Sequence, residues 1–182
     1  MSKSPFPYPV ASSLRRAQQW QEPPYSGPSL DRVAYHEAGH IVLFEWIGLD
    51  DIKATASPTS GRAYFPEIFP PMKDTPPDKT GELAATAAAV FHAGIMAELL
   101  HCGHGWQGPI HYARQIDYQA ADDMLAPSFG RHASGGHSFA QRVALHVLSG
   151  RWQRVQEVAE HLIKNGRWKS GDSQTPTQLQ KL

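Results

Sequence analysis

His36, Glu37 and His40 stand in the spacing H-E-x-x-H, inside residues 30–48, where apolar side chains recur with helical spacing. Four residues make about one helical turn, so on a helix both imidazoles share a face. Two neutral imidazoles so placed suit one zinc ion, and Glu37 beside them can act as general base toward a metal-activated water. With 10 His and 8 Glu among 182 residues, chance alone supplies the pattern about 0.02 times. This argues against the plainer reading of two histidines on a solvated helix face.

The surrounding residues frame that helix. Ser29 is placed to cap its N-terminus, Asp31 lies favourably in the first turn, and Gly48 suits the position just past the end. Gly39 inside a helix costs about 1 kcal/mol relative to Ala. That predicts close approach of another element near the metal.

Further along, residues 52–56 and 62–65 flank the turn-like Ser57-Pro-Thr-Ser-Gly61, which predicts a short hairpin. Residues 66–78 hold five prolines and read as a loop or lid. Residues 80–102 form an alanine-rich helix ended by Gly103, residues 116–125 a shorter helix stopped by Pro127, and residues 128–136 a flexible link. Residues 137–149 and 151–164 form a helical pair around Gly150, closed by Gly166. The fold class expected is mainly α (α+β): a helical, zincin-like metallopeptidase domain with a small β-hairpin or sheet. Its expected bounds are 29–166, after an extended proline-rich arm (1–28, with one short helix around 12–20) and before a flexible tail (167–182).

Lys+Arg and Asp+Glu both number 17, so nothing points to nucleic acid or an anionic membrane surface. Cys102 is the sole cysteine, which rules out an intrachain disulfide or a four-cysteine zinc site and fits a reducing cytoplasm. Residues 1–28 have no apolar core of a secretory signal, and the apolar run 84–100 is broken by Thr86, His92 and Glu98. A cytoplasmic protein without membrane insertion is therefore expected. No G-x-x-x-x-G-K-[ST] loop occurs, so no ATP binding by this chain is expected.

Ala34-Tyr-His-Glu-Ala-Gly-His-Ile-Val-Leu43 resembles the zinc helix of the FtsH-type AAA+ metalloproteases. The likeness continues in order over residues 30–165. Ile52 to Tyr64, with Gly61-Arg-Ala63, resembles that family's strand and turn. Ala88 to Leu100 resembles its small-residue helix, and Gln115-Ile-Asp-Tyr-Gln-Ala-Ala-Asp122 its segment bearing the acidic ligand. The resemblance implies the peptidase part alone, without the ATPase and transmembrane parts. It also implies Asp117 as third zinc ligand, beside His36 and His40. A Thr-Gly-Ala-Ser lead-in before that ligand is replaced here by Tyr112-Ala-Arg-Gln115. Glu98 is the alternative third ligand, or an acid orienting one of the others; Asp122 and Asp123 read as solvated.

Two further groups are weighed more plainly. His101, Cys102 and His104, with His111, could hold a second metal but read as a polar loop. Trp46, Trp106, Trp152 and Trp168 read as packing.

The function expected is therefore a zinc-dependent metallopeptidase (cofactor Zn²⁺, base Glu37) acting on peptides or flexible proteins. Substrate would pair with the edge of the hairpin by strand addition. The alternatives are a catalytically silent zinc-binding regulatory or interaction protein, and a hydrolase of non-peptide amides. Oligomerisation stays open.

Overall fold

The computed structural model describes residues 18–24, 27–64, 77–112 and 116–172. Among these the chain forms, in order, α1 (Leu30–Trp46), β1 (Lys53–Ala56), β2 (Gly61–Tyr64), α2 (Pro77–His101), α3 (Ile116–Phe129), α4 (Ser134–Gly150), α5 (Trp152–Asn165) and β3 (Arg167–Lys169). It is mainly helical with one small antiparallel sheet, in the strand order β2-β1-β3.

The expected start of α1 holds: the Ser29 side chain accepts from the Arg32 N–H at 3.3 Å. At the other end Gly48 takes φ 82°, a left-handed backbone that glycine adopts without a Cβ penalty. The hairpin also holds, with Lys53 opposite Tyr64 and Ala56 opposite Gly61.

Several boundaries differ. Helix α2 begins at Pro77 rather than Thr80; proline suits a first helical position, where its missing N–H has no intrahelical partner to lose. Helix α3 runs through Pro127 to Phe129, and α4 starts at Ser134, so the expected link 128–136 shrinks to a few residues. Close to a helix end, proline removes only one bond of the ladder. Strand β3 falls in the stretch expected to be tail. Gly166, at φ 70°, ends α5 and turns the chain back, and β3 pairs with β1 so that Thr55 faces Arg167. Trp168 on β3 is 2 % exposed and anchors the strand in the core. The expected lid lies outside the described residues apart from Pro77 and Asp78, and of the expected arm helix only residues 18–20, which are not helical, are described.

Helix α2 is the hub, packing on α1, α3 and α4. Ala84, Ala85, Ala88, Ala89, Ala93 and Ala97 are all buried, and their small side chains let the neighbouring helices approach closely. Gly39 of α1 fits this surface. A Cβ there would stand 2.5 Å from the Ala93 carbonyl oxygen and 2.8 Å from Ala97 Cβ, which is the close approach its place in the helix predicts. On α5, Val155, Val158, Ala159 and Leu162 form one buried stripe. By length and composition Ala84–His101 would suffice to cross a membrane, but 72 % of that window is buried within the protein.

The arm docks at least in part. Gln21 pairs with Ile110, Gln18 N–H donates to Ser134 Oγ at 2.7 Å, and the Trp20 ring packs 5.3 Å from that of His137.

Asp122 corrects the sequence reading: it is completely buried, not solvated, as are His92 and His137. Burial pushes both histidines below the usual range. Around His92 stand His137, whose charge lowers it further, then Asp117 and His40. Around His137 the Asp122 bond and charge pull upward, against His132 and His111. Folding thus keeps two rings neutral that take protons below about pH 6.5 when unfolded. Their stabilisation is present above pH 6.5 and is lost as pH falls below it, at up to about 1.4 kcal/mol per ring per pH unit. His36, raised in the folded state, is already protonated there while its unfolded ring is still gaining its proton below pH 6.5, so it offsets a small part of the loss. Glu37, raised by burial, offsets part of the loss. Urea unfolding of metal-free protein is expected to show a fall of about 1–2 kcal/mol between pH 6.5 and 5.5. An unchanged midpoint at constant slope would contradict this.

Candidate metal centre

Helix α1 brings His36 and His40 to one face, and the first turn of α3 brings Asp117 against them. His36 Nε2 lies 3.1 Å from His40 Nε2 and 3.1 Å from Asp117 Oδ2. His40 Nε2 lies 3.5 Å from the same oxygen. Ligands around a tetrahedral zinc, with bonds of about 2.0–2.1 Å, stand about 3.3–3.4 Å apart, so the three donors fit one small cation. Among the described residues this is the one group of three or more His, Cys, Asp or Glu side chains close enough to hold a metal.

The opposite ring atoms fix the rotation and tautomer of each imidazole. His40 Nδ1 donates to the Val90 carbonyl at 2.8 Å. His36 Nδ1 donates to Glu98 Oε1 at 2.6 Å. In the neutral rings both Nε2 lone pairs therefore point at each other and at a carboxylate. Three lone-pair donors facing one another require a cation or a proton between them. Burial alone would lower His36, but its bonds to Asp117 and Glu98 and the charge of Glu37 outweigh this and hold it at about 10. Asp117 is pushed up by burial, but His40 and His36 together hold it well below the usual carboxylate range. In the absence of metal a proton takes the cation's place.

Glu98 is not among the three converging donors; it stands behind His36, on its Nδ1 side. Arg32 binds its other oxygen through Nε at 2.9 Å and Nη2 at 2.6 Å, and also reaches the Gly27 carbonyl. Burial raises Glu98, yet His36 and Arg32 more than compensate and keep it ionised. An ionised carboxylate on Nδ1–H makes His36 a better metal ligand.

Glu37 is 5 % exposed and accepts from the Ala63 N–H of β2. Burial raises its pKa, only partly offset by His40 and His36. A carboxylate raised in this way is a more effective base near neutrality. Two glycines open the space. At Gly61 a Cβ would stand 2.5 Å from Glu37 Oε1, and at Gly94 it would run into the His36 ring. Reading the sequence did not single out Arg32, the Val90 carbonyl or Gly94; a glycine inside the alanine-rich helix was the available signal for the last.

The weighed second metal group does not assemble. The His101 ring stacks on Tyr35, centroids 3.7 Å apart, and His111 packs against Trp20 at 5.2 Å. Burial raises the Cys102 thiol, which keeps it protonated and a poor ligand or nucleophile. Trp168 is core, and Trp46, Trp106 and Trp152 are half-buried against it. Compared with family models and with curated proteins, the chain gave no match in either.

Proposed function

We propose that this protein is a zinc-dependent metallopeptidase, with a zincin-like peptidase domain akin to that of the FtsH-type proteases, and that it cleaves extended or flexible polypeptide. The observation that carries this reading is the convergence of His36, His40 and Asp117 beside a buried, raised Glu37.

The donor set, two imidazoles and one carboxylate, is that of a catalytic rather than a closed structural zinc site. Bound there, zinc supplies Lewis acidity, lowering the pKa of water and polarising a carbonyl. Glu37 accepts the proton of the attacking water and passes it to the leaving amine, while Ala63 N–H holds its carboxylate in place. Glu98 and Arg32 fix the His36 ring, and the Val90 carbonyl fixes His40. Strand β2 ends the described sheet and carries Gly61 against Glu37. An extended peptide adding to its outer edge would lie along the catalytic side chains.

The test is cleavage of a fluorescence-quenched, unstructured peptide by zinc-loaded protein. Cleavage should vanish on chelation and return with added zinc. A zinc-loaded protein that cleaves no such peptide would instead favour a silent zinc-binding module.

A further inference from the structure

Behind the three converging donors lies a second set of buried polar groups on which the proposed reaction makes no demand. Tyr112 Oη lies 2.7 Å from His92 Nδ1, His92 Nε2 3.0 Å from His137 Nδ1, and His137 Nε2 3.1 Å from Asp122 Oδ1. His92, His137 and Asp122 are wholly inaccessible, and Tyr112 is 7 % exposed. Burying such groups is costly unless each is satisfied.

Proton counting gives the chain one direction. The Asp122 carboxylate, held ionised by the His132 N–H at 2.6 Å and by His137, only accepts. His137 must then carry its proton on Nε2 and offer the Nδ1 lone pair. His92 in turn carries its proton on Nε2 and offers Nδ1 to the Tyr112 hydroxyl, which donates. Every bond is satisfied with both rings neutral, and each tautomer dictates the next.

The four residues come from four parts of the fold. His92 is on α2, two residues past the Val90 carbonyl that orients His40 and six before Glu98, which orients His36. Asp122 is on α3, about a turn and a half past Asp117, and His137 is on α4. Tyr118, next to Asp117, lays its ring parallel to that of His137, 3° apart in plane and 4.7 Å between centroids. Helix α2, whose Val90 carbonyl and Glu98 orient the His40 and His36 rings, is thereby tied, through one directional chain, to α3, which carries Asp117.

Resting on the metal reading above, we propose that Tyr112, His92, His137 and Asp122 form a positioning device that sets α3 against α2 and so brings Asp117 into the coordination sphere of His36 and His40. These are positioning residues; none of them meets substrate.

Three variants separate this from a merely structural role. His92→Phe removes both bonds of the middle ring, Tyr112→Phe removes only the terminal donor, and His92→Gln keeps one donor and one acceptor. Zinc affinity is read by competition with a chromophoric chelator, and coordination by the visible spectrum of the cobalt-loaded protein. His92→Phe should weaken zinc binding about 10- to 100-fold, as loss of outer contacts to a metal site does. It should also change the cobalt bands as the Asp117 oxygen leaves. Tyr112→Phe should shift both in the same direction by less, and His92→Gln should recover most of the affinity. Folded His92→Phe with wild-type affinity and spectrum would overturn the proposal; if that variant does not fold, Tyr112→Phe with both readouts unchanged would do so. Wild-type protein that takes up neither zinc nor cobalt would overturn the metal reading on which it rests.

Discussion

Glu37→Gln is expected to lower peptide hydrolysis by about 10²- to 10⁴-fold, the usual contribution of a positioned general base, while leaving zinc bound. The separation of the two effects is what makes the variant informative. Glu37 is not among the three converging donors, so its amide leaves the ligand set whole. Glutamine has the same volume and can still accept from the Ala63 N–H, so β2 has no reason to move. What disappears is the ability to take a proton, which burial has tuned upward in the native side chain. Initial rates on an unstructured peptide, with zinc content measured on the same samples, check this. Equal rates at equal zinc would remove Glu37 from the reaction, and loss of zinc would make it a structural part of the site.

Gly94→Ala is expected to weaken zinc binding by more than about 100-fold, beyond the range for loss of an outer contact, because it displaces a ligand. In an ordinary helix interior this change stabilises by about 1 kcal/mol. Here the new methyl would occupy the space of the His36 ring, while that ring is held from its other side by Glu98 at 2.6 Å. The ring must swing away, taking Nε2 out of reach of His40 and Asp117. Gly150→Ala, where a Cβ meets nothing within 4 Å, is the matching control and should leave zinc affinity unchanged. Wild-type affinity in Gly94→Ala would mean that His36 is not a ligand in the orientation described.

The parts of the fold legible in the sequence are those written in local chemistry. Ser29, Gly48 and the H-E-x-x-H spacing belong to one helix and its two flanks, and period and capping suffice to place them. The hairpin is equally local, its turn residues standing between two short runs. Strand β3 was illegible because three residues, Arg167 to Lys169, carry no measurable alternation; it exists because Gly166 reverses the chain and Trp168 has core to enter. Asp122 read as solvated because its burial depends on His132 and His137, which only tertiary packing brings to it. The third position of the metal site shows the same limit. Asp117 and Glu98 are both acids near helix ends; local pattern does not choose between them, and only the family resemblance favours Asp117. Packing of α2 and α3 against α1 puts one carboxylate on the Nε2 side of His36 and the other on the Nδ1 side. In the proposed metal site, that difference of ring edge separates the ligand from the group that orients one.

The claim that His36, His40 and Asp117 share a metal is tested most directly by the metal content and zinc X-ray absorption spectrum of the purified protein, beside those of His40→Ala. The proposed zinc site predicts one zinc per chain in a nitrogen and oxygen shell at about 2.0–2.2 Å, without sulfur, and its loss in His40→Ala. A protein that takes up no zinc, or one whose zinc survives unchanged in His40→Ala, would contradict it.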